Sequence, residues 1–332
     1  MKKIKEILNL ICNEDNGKFE AKESSINQLE IYLVEKEEEE GKINYITIKP
    51  EINKKISKKI LSKYIKNLNY ILEKDYSRIE YDVDISLSKE KKIMTLKKIF
   101  NLNNILKSIE NFSSYKSEIN FKNLKLFVIK IAFDKDVIYF FEEFKKTMKL
   151  DKNFLTKITT GDSLKFDEVR EEQLSLKFSM PCFYFGQEMS ILAKFPFEKI
   201  FDYIYDYQRT KKDNQDKINN LNILSDSSKF FEEIKEDDIN KLRKFASIIN
   251  KGYYSKFTID KIKTLCKEND LGSKIIIKNN KIDVEKSRIS TILKILNDDY
   301  LESKFTGNKY ATNSKERTGN GTLNQNDTTN TN

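Results

Sequence analysis

The stretch LKLFVIKIAF at residues 124–133, followed after Asp134, Lys135 and Asp136 by VIYFF at 137–141, constrains this chain more than any other. Runs so dense in β-branched and aromatic residues, separated only by a charged turn, predict two adjacent strands in the centre of a sheet.

Strands and helices alternate around this pair. Residues 28–34 and 43–49 predict a hairpin across the acidic turn Glu37 to Gly41, with Pro50 closing the second strand. Ile52, Ile56, Ile60, Tyr64, Leu68 and Ile71 recur at helical spacing, with Ile65 and Leu72 widening the stripe, which predicts a helix over 52–72. Ile79, Tyr81, Val83, Ile85 and Leu87 alternate with Glu80, Asp82, Asp84 and Ser86, the period of a half-buried strand. A second helix is expected over about 89–112, a turn at Gly161-Asp162, and a strand over 176–186 whose Pro181 argues for an edge or a bulge.

The character then becomes helical. Pro196 suits the first turn of a helix with the stripe Phe197, Ile200, Phe201, Ile204 and Tyr207. Helical patterns follow over 228–250 and 258–269, then a hairpin over 275–282 around Asn279-Asn280 and a last helix over 285–296. The expected class is α+β: a mixed β-sheet with packed helices in the first half and a mostly helical C-terminal part. Residues 1–150 form an N-terminal region, 151–312 a C-terminal region and 313–332 a tail too poor in apolar residues to offset its ordering entropy. The polar stretch 211–222 is the linker candidate.

Absences narrow the chemistry. There is no histidine, which removes Ser-His and Cys-His catalysis and His-ligated zinc. Cys12, Cys182 and Cys266 lie too far apart for a zinc knuckle and suggest a reducing compartment. None of the nine glycines falls into GxGxxG or GxxxxGK[ST], so no nucleotide loop of those kinds is expected. Neither metal nor cofactor is called for. Glu6 interrupts the apolar start MKKIKEILNLIC, and the longest charge-free apolar run, 178–187, is half of the roughly 20 residues a spanning helix needs, so a cytoplasmic protein is expected.

Of the 61 basic residues only six are Arg, and the net charge of +9 leans the chain toward anionic partners. That lean concentrates on one predicted helix. Lys54, Lys55, Lys58, Lys59, Lys63 and Lys66 lie opposite its apolar stripe, with no acidic residue between Glu51 and Glu73. Ordinary exposed helices mix signs to gain i,i+4 pairs, so this face is either a solvated surface of a Lys-rich chain or a track for DNA phosphates. Glu80, Asp82 and Asp84 on one strand face are an acidic surface stripe or the Mg²⁺ ligands of a histidine-free nuclease. Phe183, Tyr184 and Phe185 offer rings for base stacking but read first as core, as do Phe140-Phe141 and Phe230-Phe231.

The C-terminal string LNDDYLESKFTGNKYATNSK contains Asn297, Asp298, Asp299, Tyr300, Leu301, Thr306 and Gly307. Physically it is a latch: Asn297 and the two Asp residues stop the last helix, Tyr300 and Leu301 tuck under it, and Thr306-Gly307 turns the chain. The string resembles the closing signature of the KwaB-like family of the bacterial Kiwa anti-phage defence system, and FPFEKIFDYIYDYQ at 195–208 resembles that family's helix after its central strands. The resemblance spans roughly residues 120–315 and implies a cytoplasmic, self-associating protein, as a homodimer. It further implies action on double-stranded phage DNA with a small multi-spanning KwaA-like membrane partner that recruits it to the inner membrane face. It carries no catalytic motif. The leading expectation is therefore a non-catalytic DNA-binding effector, with a metal-dependent nuclease using Glu80, Asp82 and Asp84, or an adaptor that does not touch DNA, as alternatives.

Overall fold

In the computed structural model the two apolar runs form β5 (Leu124–Ala132) and β6 (Val137–Glu143), the middle of an eight-stranded sheet. The structure describes residues 2–15, 18–39, 42–85, 87, 91–112, 122–133, 135–145, 149–150, 155–160, 164–168 and 173–313. The other strands are β1 (Leu29–Glu39), β2 (Lys42–Ile48), β3 (Ser77–Glu80), β4 (Lys92–Leu96), β7 (Cys182–Phe185) and β8 (Glu188–Ile191). Their order is β2-β1-β5-β6-β7-β8-β4-β3, antiparallel throughout except for the parallel β3–β4 pair.

Register explains why both faces need cover. Ile31, Ile129, Phe140 and Phe183 form one cross-strand row, and Tyr32, Val128, Phe141, Cys182, Ile191 and Met94 the next row, on the opposite face. All ten are buried. The first row packs against α1 (Lys2–Ile11) and α2 (Lys54–Glu73), whose Ile7, Leu8, Leu61 and Tyr64 share its core. On the second face α3 (Leu102–Glu110) lies along β2 and α4 (Lys194–Ile200) along β6, where the Phe141 and Phe201 rings meet at 5.2 Å. The class is α+β, a mixed sheet with packed helices and a mostly helical C-terminal part.

The chain divides into two units, residues 1–81 with 87–206, and residues 82–86 with 207–332. Because β7 and β8 pair with β6 and β4, the sheet takes strands from both sides of residue 150. The division falls within α5 (Tyr203–Asp213). Residues 211–222 are no linker: α5 continues to Asp213, α6 (Gln215–Asn219) follows, Ile218 is buried, and Lys211 pairs with Glu236 at 2.9 Å. The second unit continues with α7 (Ser227–Glu232) and α8 (Ile239–Lys251), a break in the expected 228–250 helix made by Asp238, which caps Lys241 N at 3.1 Å. Then come α9 (Ile259–Glu268), β9 (Ile277–Lys278), β10 (Lys281–Ile282) and α10 (Ile289–Leu296). The turn between β9 and β10 uses Asn279 and Asn280, both at positive φ, as a tight two-residue hairpin requires. Last stand β11 (Tyr300–Glu302) and β12 (Lys309–Ala311).

Three local expectations change. The strand over 79–87 stops at Glu80: the pairing of β3 with β4 ends at Thr95, and Asp82 then accepts the Asp84 backbone N–H at 2.7 Å, turning the chain into the second unit. The helix over 89–112 is helical only from Leu102, because Lys92–Leu96 pairs with β8 and β3 as β4, where Met94 completes the second row and Ile93 is buried in the core under α1 and α2. The strand over 176–186 is regular only over Cys182–Phe185, an interior strand that Pro181 immediately precedes, its carbonyl accepting from Leu192 and Ala193. The turn at Gly161-Asp162 and the tail from Ser314 onward lie outside the described residues.

The helix over 52–72 forms as α2, capped by Asn53, whose side chain accepts from Ile56 N. Its buried arc is rotated from the expected stripe, since Leu61 is fully buried whereas Ile56 is 45% exposed. Leu61→Ala should therefore lower stability by about 2–5 kcal/mol and Ile56→Ala by less than about 0.5 kcal/mol, compared by urea unfolding followed by circular dichroism.

Candidate nucleic-acid interface

Burial of Ile60, Leu61, Tyr64, Ile65 and Leu68 against the sheet fixes which side of α2 faces water. Lys54, Lys55, Lys58, Lys59, Lys63 and Lys66 are all exposed and occupy that side. At 1.5 Å rise per residue they extend over about 18 Å of helix. Lys54 pairs with Glu23 at 3.3 Å, both groups largely in solvent. Among the described residues no carboxylate pairs with the other five. Tyr70, 51% exposed, lies on the same side of the helix toward its C-terminal end.

The helix is fastened from beneath. Glu142, at the end of β6, points with Phe140 toward α2 and is 1% exposed. Its carboxylate accepts from the Tyr64 hydroxyl at 2.8 Å, from the Ser179 N–H and hydroxyl, and from Met180 N at 2.7 Å. The Tyr64 ring stacks on Phe140 at 4.4 Å. Burial pushes the Glu142 carboxyl upward from its ordinary value, against the pull of the Met180, Ser179 and Tyr64 hydrogen bonds. Four donors on one buried carboxylate hold the helix register and the chain at 179–180 together. Period-two alternation after Phe140 places Glu142 inward and is the sequence signal that could have found it.

The family-like signature is built differently. Asn297 ends α10 and is fully buried, and Asp299 is 1% exposed. Asn297 Nδ2 donates to Asp84 Oδ2 at 2.7 Å and to Asp299 Oδ1 at 2.8 Å. The Ser247 hydroxyl lies 2.8 Å from Asp84 Oδ2 and 2.9 Å from Asn297 Oδ1. Lys251 Nζ donates to Asp84 Oδ2 at 2.6 Å, and Lys244 Nζ bridges Asp84 Oδ1 at 3.2 Å and Asp299 Oδ2 at 2.9 Å. All belong to the second unit. Burial alone raises the Asp84 carboxyl, but hydrogen bonds from Asn297 and Lys251 and the charges of Lys244 and Lys251 outweigh it and hold the group well below the usual range.

This hub accounts for part of the expected latch. Asn297 and Asp299 bond Asp84 and its lysines rather than the local backbone alone, and Asp298, exposed at φ +56°, makes the left-handed turn that ends the helix. Tyr300 is half-buried, but Leu301 is 41% exposed and does not tuck under α10, because it pairs across β11–β12 with exposed Tyr310. Thr306 and Gly307 form the connecting turn, Gly307 at φ +67°. Sequence reasoning missed Lys244, Ser247 and Lys251, although their i, i+3, i+7 spacing puts three polar groups on one face of α8.

Glu80, Asp82 and Asp84 do not share a strand face. Glu80 is exposed at the end of β3, whereas Asp84 is buried within its hub. Among the described residues no three Asp, Glu or Cys side chains converge so as to hold a metal ion. Phe183 and Phe185 are buried, as are Phe140, Phe141, Phe230 and Phe231. Among the described residues no helix is long and apolar enough to cross a membrane.

The hub ties stability to pH. Because the folded value of Asp84 lies below its unfolded one, its contribution is complete above the ordinary carboxylate range and is lost as pH falls through the folded value. Asp84→Ala should destabilise the second unit by about 3 kcal/mol at pH 7. The gap from the parent protein should narrow once pH drops below about 4; urea unfolding at both pH values checks it.

Comparison with known proteins bears on the chain from β5 onward. A family model described as Kiwa protein KwaB-like matches residues 121–306, more than half of the 332 residues. The match includes β5 to β8, the buried Glu142 and the hub residues Lys244, Ser247, Lys251, Asn297 and Asp299; α2 and Asp84 precede it. No curated protein and no solved structure matches the chain.

Proposed function

The chain belongs to the KwaB-like family of Kiwa proteins, and we propose on that premise that it is an anti-phage effector that grips double-stranded DNA by its phosphate backbone without cutting it. In this reading it works as a homodimer beside a membrane-embedded partner that brings it to the inner face of the cytoplasmic membrane. The observation that carries DNA binding is the lysine face of α2: six exposed ammonium groups on one rigid helix, one of them paired with a carboxylate among the described residues.

Physical chemistry favours a backbone-reading mode. Ammonium groups are flexible point charges, suited to neutralising phosphates and poorly suited to the bidentate reading of base edges. Binding would draw its free energy largely from released counterions, and six phosphate contacts correspond to a log-log salt slope of about −5. The fastening of α2 through Tyr64 and Glu142 means that little ordering of the helix is left to be done on binding. Because the lysines precede the matched stretch, the DNA surface is a property of this chain's own first unit.

The test is fluorescence anisotropy of a labelled linear duplex over a salt series. The parent protein should show a steep slope, and a variant with Lys54→Gln, Lys58→Gln and Lys63→Gln should lose about three units of it, with the probe intact afterwards in Mg²⁺. Equal slopes for the two proteins would remove α2 as the DNA surface. Absence of binding at low salt, or cleavage of the probe abolished by Asp82→Asn, would overturn the reading itself.

A further inference from the structure

The second unit contains a cavity of about 440 Å³ between the end of α9, the start of α10 and the β11–β12 hairpin. Four of its lining side chains are cations: Lys274, Arg288, Lys294 and Lys309. Its one acid, Glu268, pairs with Lys309 at 3.8 Å. Among the described residues, no carboxylate pairs with Lys274, Arg288 or Lys294. Three other cavities lined by described residues carry less of this imbalance: Arg78, Lys97 and Lys98 share one with Glu80 and Glu188, Lys107 is the only cation lining a second, and Lys256 and Lys261 share a third with Asp298.

Three uncompensated cations around one concavity repel one another, and the repulsion is relieved when an anion enters. Arg288 is one of only six arginines in the chain, and its planar guanidinium suits two phosphate oxygens at once. The space exceeds what a bare phosphate needs and falls within the range of small-molecule sites. Thr291 adds a hydroxyl, and half-buried Tyr300 an aromatic surface of the kind on which a base stacks.

We propose that this cavity binds a nucleoside phosphate, its phosphate held by Lys274, Arg288 and Lys294 and its base against Tyr300. The same chemistry is presented by a free nucleotide and by the 5′-phosphorylated end of a nucleic-acid strand. The inference does not depend on α2: it stands or falls with residues of the second unit.

Isothermal titration of the full-length protein separates these cases. The ligands are deoxyadenosine and its 5′-monophosphate, and one short single-stranded oligonucleotide with a 5′-hydroxyl or a 5′-phosphate. The phosphate should tighten binding by about tenfold in at least one pair. A gain confined to the mononucleotide identifies a free nucleotide as the ligand, and a gain in the oligonucleotide identifies a strand end. Combined Lys274→Gln and Arg288→Gln should abolish the gain, whereas Lys54→Gln, Lys58→Gln and Lys63→Gln should preserve it even as overall DNA affinity falls. Should the double variant unfold, Lys294→Gln alone should reduce the gain by several-fold. No phosphate-dependent gain in either pair, or a gain that survives the substitutions in the cavity, overturns the proposal.

Discussion

Burial of β5 and β6 on both faces is the constraint from which the first unit follows. Two adjacent strands without a polar face cannot border water, so helices must cover the sheet twice, and the cross-strand rows Ile31 to Phe183 and Tyr32 to Met94 show what each layer covers. This also decides where charge ends up. Once the apolar side of α2 is committed to Phe140 and its neighbours, the lysines have only the outer side to occupy. A basic face is thus held rigidly as a by-product of core formation.

Polar groups inside the protein act as joints rather than as filler. Glu142 gathers Tyr64, Ser179 and Met180; Asp202 accepts from Lys125 at 2.8 Å, Lys36 at 3.2 Å and Tyr45 at 2.9 Å; Asp84 gathers Asn297, Ser247, Lys244 and Lys251. Each buried carboxylate is costly to desolvate, and the donors around it offset that cost. Such sites tolerate loss of one partner poorly, and all three involve residues of the stretch that matches the family: Glu142, Asp202 and Asn297.

Local pattern made much of this legible and distance hid the rest. The β1–β2 hairpin, the central strand pair, α2 and the Asn279-Asn280 turn are encoded over a few residues, where period and turn chemistry suffice. At 79–87 the alternation was genuine but the strand stopped, because continuation depends on whether β4 still offers a partner, a fact stored elsewhere in the chain. At Ile93 and Met94 two sheet neighbours outweighed a weak helical pattern. The lysine face of α2 was visible in the sequence, whereas the Asp84 hub was not: no spacing rule links an aspartate to an asparagine 213 residues later. Ser247, a polar residue within the apolar stripe of α8, was the visible clue.

That separation has a consequence during synthesis. Asp84 leaves the ribosome long before Lys244 or Asn297 exists, and at ordinary elongation rates the interval before Asn297 is made is about ten to forty seconds. Through that time the carboxylate and the adjoining Val83 and Ile85 have no second unit to enter, while the strands on either side of them are already available to pair. Until the last helix arrives, the Asp84 carboxylate lacks its Asn297 donor.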